Sequence, residues 1–415
     1  MTARSILFVH QNFPGQFPRV AEALVKRGDR VAAIGSSTAR GMPGIDVRRW
    51  SNDRGTTAGI LPAAIRAEAD LIRAAAAARE ASKLAADGFR PDVIVGNPGW
   101  GETLHLKEVW PDARLILLVE YWYTFRGGDV GFDPEFTPPD WGLADAVALN
   151  ARNMGQALAC SLADRIVCPT PFQASTFPPA LRERIIVHHE GIDLTRAVRR
   201  PHVRINLPGG HVLDGSRPLV TFIARTLEPL RGFHSFMRAL PRLQMQHPDA
   251  DIVLMGADDQ PGYGAAPPEG QTWKSMLLGE LGGSLDLARL HFLGRIPHEQ
   301  MIAMLSRSDA HVYLSYPFTL SWSLLEAMAC GCLIVASDTA PVRDAVRHGE
   351  NGLLVDFFSP DEIASTVGGV LSAPEELAPL RRGALETVRD RYDQVRSGTP
   401  GWLHIIDTAV QAGIA

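Results

Sequence analysis

The sequence predicts an α/β protein of two doubly wound parallel-sheet domains facing a cleft. Three observations carry this. Short, near-continuous apolar runs alternate with longer amphipathic stretches along the chain, as strands buried on both faces of a parallel sheet should read. The runs fall into two sets separated by a stretch of turn residues. The chain has 415 residues, which exceeds what one hydrophobic core organises and fits two or three domains.

In the first set the runs are Ile6–Val9, Val31–Ile34, Val93–Val95, Leu115–Val119, Ile166–Cys168 and Ile185–Val187. In the second they are Leu219–Ala224, Ile252–Met255, Leu290–Leu293, His311–Leu314, Leu333–Ala336 and Leu353–Val355. Helical periodicity occupies Phe17–Lys26, Ile65–Leu84, Phe233–Leu243 and Leu324–Ala329. Such alternation winds into parallel sheets through right-handed crossovers. Turn chemistry over Gly191–Arg217, including Pro208-Gly-Gly and Asp214-Gly-Ser-Arg-Pro218, marks the junction. The expected division is therefore a first domain over 1–195, a linker over 196–217 and a second domain over 218–395. From Gly401-Trp-Leu-His-Ile-Ile406 onward a terminal amphipathic helix is expected, within 396–415.

Composition excludes several classes. Apolar residues are 46% and charged residues 21%, a globular balance and not a disordered one. A net charge of −5 argues against nucleic-acid binding. The N-terminal apolar run is too short for a secretory leader, and no run reaches the length of a membrane span. A soluble, cytoplasmic protein is expected, with peripheral membrane contact left open. The cysteines Cys160, Cys168, Cys330 and Cys332 fit neither a disulfide framework nor a zinc ribbon. Cys330-Gly-Cys332 reads as two small buried thiols. Asp249-Ala-Asp251 has Asp-x-Asp form but precedes a strand, so no essential metal is expected.

Ligands of open α/β sheets bind beyond the carboxyl ends of the strands. After the first strand come His10, Asn12 and Gly15, where Gly15 allows close backbone approach before a helix N-terminus. After the third and fourth come Trp100, Glu102, Glu120 and Tyr121, carboxylates and rings suited to a polyhydroxylated ligand or to bracing an interface. In the second half, Arg225 ends a strand and Arg231 opens a helix, the makings of an anion clamp. Pro261–Gly270 is a Gly/Pro-rich loop of the kind that lines sites. Ser315 to Gly331 turns from strand to helix: Thr319, Ser321 and Ser323 can cap it. Glu326 lies in its first turns, facing Thr319 or Trp322 by helical spacing, where it can accept vicinal hydroxyls or equally stand as a dipole-stabilised surface residue.

Together these residues resemble glycosyltransferase family 4, the retaining GT-B enzymes that use nucleotide-sugar donors. The resemblance runs through Leu325-Glu-Ala-Met-Ala-Cys-Gly331, Ile334-Val-Ala-Ser337, Asn351-Gly-Leu-Leu354, Ala224-Arg-Thr-Leu-Glu-Pro-Leu-Arg-Gly232, Phe292-Leu-Gly-Arg-Ile-Pro297 and Met255-Gly-Ala257. In the first half it runs through His10–Phe17, Gly131-Phe-Asp-Pro-Glu135 and His189-Glu-Gly-Ile-Asp193. It implies a GT-B fold of two Rossmann-like domains, with the terminal helix returning to the first domain so that both halves close over the donor.

It also implies roles. Arg225, Arg231 and Glu326 would be catalytic, the arginines holding the donor diphosphate and Glu326 its ribose. Gly15, Gly256, Arg295, Ile296, Phe318, Thr319, Leu320 and Ser321 would complete the donor site. His10, Asn12, Trp100, Glu102, Glu120 and Tyr121 would face the acceptor. The partners implied are a nucleotide-diphosphate sugar as co-substrate and a hydroxyl acceptor (glycan, lipid, small molecule or protein), with no further cofactor. Departures exist. Phe318 stands where the family has the first of two glutamates, Arg231 replaces a lysine one position earlier, and Glu120 stands where many members have histidine. Two other readings therefore accompany the transferase: a nucleotide-sugar-binding partner without catalysis, and an epimerase or phosphorylase of the same fold.

Overall fold

The computed structural model describes residues 3–200 and 202–411. The first two residues, Pro201 and the last four positions of the 396–415 segment lie outside them. The chain forms two compact units. The first takes in residues up to Arg126, Pro138–Gly191 and the segment from Gln394; the second takes in Gly127–Thr137 and Ile192–Asp393.

The first unit holds a parallel sheet of β1 (Ser5–Val9), β2 (Arg30–Ser36), β3 (Asp46–Trp50), β4 (Val93–Gly96), β5 (Arg114–Leu118), β6 (Arg165–Cys168) and β7 (Ile185–Val187), in the order β3-β2-β1-β4-β5-β6-β7. The order reverses between β1 and β4, which is the topological switch point where such sheets bind ligands. Helix Pro18–Arg27 packs on one face with Thr399–Gln411, whose Trp402 is fully buried and meets the Phe17 ring edge-on at 5.5 Å. Helix Ile65–Ala86 covers the other face with a row of alanines, Ala74, Ala77 and Ala81, small enough for close approach.

The second unit holds β8 (Ile205–Asn206) and β9 (Val212–Leu213), a short antiparallel hairpin, followed by β10 (Leu219–Thr226), β11 (Asp251–Ala257), β12 (Leu290–Phe292), β13 (Ala310–Tyr313), β14 (Leu333–Ser337) and β15 (Leu353–Val355). Its parallel sheet has the order β12-β11-β10-β13-β14-β15, with the switch point between β10 and β13.

Each apolar run coincides with a strand to within two residues at either end. Two departures have physical causes. β3 (Asp-Val-Arg-Arg-Trp) is an edge strand with polar positions, so it carries no continuous apolar run. The stretch 196–217, expected as a linker, is structured as part of the second unit: Leu207 and Leu213 are buried with Leu219, Val253 and Met304. Arg199 donates to the Gly331 carbonyl and the Arg200 amide to Ser306. Residues 127–137, placed by sequence in the first domain, also cluster with the second unit. There Asp133 accepts from Tyr316 (2.8 Å) and pairs with His234 (3.0 Å), while the Phe132 ring packs against Phe357. Burial works against the Asp133 carboxylate, but those hydrogen bonds hold it below the usual carboxylate range.

Candidate functional site

In the second unit the switch point is occupied by an unbroken series of cations and rings. The Arg225 side chain, exposed at the end of β10, donates to the Tyr263 hydroxyl and lies over that ring, 5.3 Å from its centre. Tyr263 in turn meets Phe318, ring centres 5.5 Å apart. Arg231 lies over the other ring of the series, 5.6 Å from the centre of Phe318. Its Nη1 donates to the Ser315 hydroxyl (2.9 Å) and the Thr319 carbonyl (3.1 Å), with the Tyr313 hydroxyl at 3.4 Å. Only 9% of Arg231 is exposed, so its orientation is fixed before any ligand arrives. Its hydrogen bonds to the protein run through Nη1, which leaves Nε and Nη2 for an anion's oxygens.

Local backbone chemistry builds this arrangement. Gly232 has φ +68 directly before helix Phe233–Gln246, and a Cβ there would lie 2.2 Å from that of Leu314. The Arg231 turn therefore packs directly on the β13 exit. Glu228, 1% exposed, accepts from the Gly264 amide at 2.8 Å and anchors the loop that presents Tyr263. A Cβ on Gly256, at the end of β11, would sit 2.5 Å from the Ala224 carbonyl, so only glycine allows the two strand ends this close. Ser321 caps helix Trp322–Ala329 by accepting from the Ser323 amide, and its own amide donates to Tyr313. Leu320 is buried beneath, with Thr319 half-buried. Arg295 is exposed and Ile296 half-buried in the turn after β12.

Glu326 differs from the expected contact with Thr319 or Trp322. Its carboxylate meets the Nε2 of His298, at the start of helix His298–Arg307, at 2.6 Å. A neighbouring element supplies the partner because Glu326 faces helix His298–Arg307 rather than its own first turn. His298, Tyr263, Tyr313 and Ser315 were not singled out by sequence. Tyr263, Tyr313 and Ser315 carried only the signal of their place, in the Pro261–Gly270 loop, the His311–Leu314 run and the Ser315–Gly331 stretch, and His298 carried none.

In the first unit the loops after β1, β4 and β5 converge at the other switch point. Glu120 accepts from Asn97 (3.0 Å) and Gln16 (3.1 Å). Burial raises its pKa, with the Glu190 charge adding to the effect. His10 is 4% exposed, packs edge-on against Trp100 with centres 5.2 Å apart, and accepts the Asn12 amide on Nδ1. Burial pushes the His10 imidazole down to about 4, opposed by the Gln16 side chain. A Cβ on Gly15 (φ +51) would strike the His10 ring at 2.5 Å. Tyr121 is buried against Tyr123, and Asn12 is exposed, accepting from Thr38.

Glu102 is set apart: 1% exposed, neither carboxylate oxygen has a protein partner, and burial pushes it up to about 7. The charges of Arg73 and Arg66 oppose that rise and the charge of Asp70 adds to it. The four cysteines are buried outside any disulfide, with the Cys330 thiol pushed up to about 12 by burial.

Comparison with known proteins matches both halves of the chain to glycosyltransferase families. Residues 27–197 match the model described as "Glycosyl transferase family 4 group" and residues 204–386 that described as "Glycosyl transferases group 1". The D-inositol 3-phosphate glycosyltransferase of Rhodococcus jostii is 30% identical over 55% of this chain and 50% of its own length. That of Mycolicibacterium vanbaalenii is 28% identical over 65% of this chain and 56% of its own length. The chain thus spans about half the length of the curated relatives it matches. Among solved structures, sucrose-phosphate synthase from Thermosynechococcus elongatus superposes with a TM-score of 0.74 at 18% identity, covering 99% of this chain and 100% of that one. Anabaena HepE in complex with UDP-glucose superposes at 0.65 and 17%, covering 97% and 100%. With one family model on each half and this fold over both, the chain belongs to the family 4 glycosyltransferases of GT-B fold.

Proposed function

We propose that this chain is a retaining, metal-independent hexosyltransferase, moving a hexosyl group from a nucleoside-diphosphate sugar to a hydroxyl acceptor. One observation carries the reading: the Arg225–Tyr263–Phe318–Arg231 series at the β10/β13 switch point. Two guanidinium groups held against aromatic faces match a diphosphate, and Arg231 is preorganised by its protein hydrogen bonds.

In the proposed reaction the bond from the sugar C1 to the diphosphate oxygen breaks, and negative charge builds on the departing diphosphate. Arg225 and Arg231 stabilise that charge. The acceptor oxygen bonds to C1 on the face the diphosphate leaves, and the acceptor proton passes to a departing phosphate oxygen. No protein base is required. Glu326, oriented by His298, accepts the donor ribose hydroxyls. His10, Trp100 and Glu120 form the acceptor side; His10 stays uncharged at neutral pH and binds as a neutral imidazole.

The test is turnover with chelator present, across UDP-, GDP- and ADP-sugars, reading nucleotide release and the anomeric configuration of the product. UDP-glucose is the first donor to try, because the HepE structure is a complex with it. Inositol phosphates are the first acceptors, because the curated relatives are named for one. Arg231→Met is expected to lower kcat/KM about 100- to 1,000-fold, as loss of other preorganised charge-stabilising groups does. Unchanged turnover in that variant, or no nucleotide release from any donor, overturns the reading.

A further inference from the structure

We propose a divalent metal site in the second unit, formed by His211, Asp251 and His291 and suited to zinc or an ion of similar borderline softness. The three residues come from separate elements. His211 closes the turn of the β8–β9 hairpin, Asp251 opens β11 and His291 is central in β12. In the β11–β12 ladder Val253 stands opposite His291, so Asp251, two residues earlier, projects from the same face of the sheet. Leu207 and Leu213 of the hairpin bury themselves against Val253 and Met255 on that face, which brings His211 over it.

The three ligand atoms lie within 4.8 Å of one another. His211 Nε2 is 3.1 Å from one Asp251 oxygen and His291 Nε2 is 3.2 Å from the other. Two nitrogens and an oxygen bound at zinc distances in tetrahedral geometry stand about 3.3–3.5 Å apart, so the observed spacing needs little adjustment. The imidazoles stack with centres 4.9 Å apart and planes 22° apart.

The electrostatics favour a cation. The Asp251 side chain is 3% exposed, and among the described residues its ion-pair partners are these two imidazoles alone. A buried carboxylate calls for charge compensation, and a divalent ion supplies it: the two rings give it lone pairs and the carboxylate is the anionic ligand. The His211 side chain is 31% exposed, so the cluster opens to solvent on that side.

The site sits at the opening ends of the strands, whereas Arg225 and Gly256 sit at their closing ends. It is accordingly structural, pinning the hairpin to the sheet edge, and is independent of the proposed transfer chemistry.

The full chain, stripped with chelator and dialysed, is titrated with Co2+ by visible absorption and with Zn2+ by calorimetry and thermal unfolding. We expect one equivalent bound at micromolar Kd or tighter, a tetrahedral cobalt band and a raised Tm. His211→Asn alters a half-exposed turn residue and is expected to fold; with His291→Asn it should weaken binding at least tenfold and abolish the band. Glu135→Gln, which disrupts the second cluster of potential ligands (Asp133, Glu135 and His234), should leave both readouts as in the parent chain. Absence of a cobalt band in the parent chain, or binding unchanged in His211→Asn, overturns the site.

Discussion

Phe318 stands where the family resemblance implies a glutamate, and its surroundings explain how a ring is accommodated there. It is 4% exposed, with Tyr263 against one side and Arg231 over its face. Its ring therefore does packing work that a glutamate at this position would not. Phe318→Ala should lower stability by about 3 kcal/mol and raise the donor KM, because Arg225 and Arg231 lose the ring system between them; thermal melts and donor titration check both. Glu102 gives a pH-dependent prediction. Its folded pKa, about 7, lies above the ordinary 4.5. The folded state thus holds a proton that the unfolded state releases, and stability falls as pH rises from about 4.5 to 7. Glu102→Gln should stabilise the protein on the order of 2–3 kcal/mol at pH 8 and leave it unchanged at pH 4. Equal unfolding free energies of the two proteins at pH 8, by urea titration, contradict this. His10 runs the opposite way: with its pKa lowered to about 4, its contribution is present above about 6.5 and lost as pH falls from there to 4.

Elements were legible where burial is two-sided. The inner strands of both sheets announce themselves because they are covered on both faces, so their apolar runs are nearly continuous. β3 has one covered edge only and stays silent in the sequence, and the β8–β9 hairpin is too short for a periodic signal. The candidate site was legible in its residue types but not in its pairings. Arg225 and Arg231 follow from the strand-end rule, whereas Glu326–His298 joins two helices and His211–Asp251–His291 joins residues 40 positions apart at each step. Such partnerships are set by tertiary packing, which spacing along one element does not report. The Gly232 turn supplies a test at this scale. Gly232→Ala adds a methyl group at a left-handed φ, 2.2 Å from the Leu314 Cβ. It should cost about 2–3 kcal/mol and lower donor affinity by moving Arg231, read from a urea melt and a nucleotide titration.

At the scale of the whole molecule, neither unit is a continuous stretch of chain. Residues 127–137 leave the first unit for the second, and the segment from Gln394 rejoins the first. Trp402, fully buried against Phe17, belongs to the same core as strands β1, β4 and β5. Trp402→Ala should therefore destabilise the first unit by about 3–5 kcal/mol, with near-ultraviolet circular dichroism following the loss. The same arrangement bears on biosynthesis. The sheet of the first unit emerges from the ribosome with this face covered by helix Pro18–Arg27 alone, and the second covering helix follows about 200 residues of the second unit. At 5–20 residues per second that interval is roughly 10–40 s. During it, the part of this face that the terminal helix will cover, the Phe17 ring among it, stays open, which makes the nascent chain a client for chaperones before the finished protein is one.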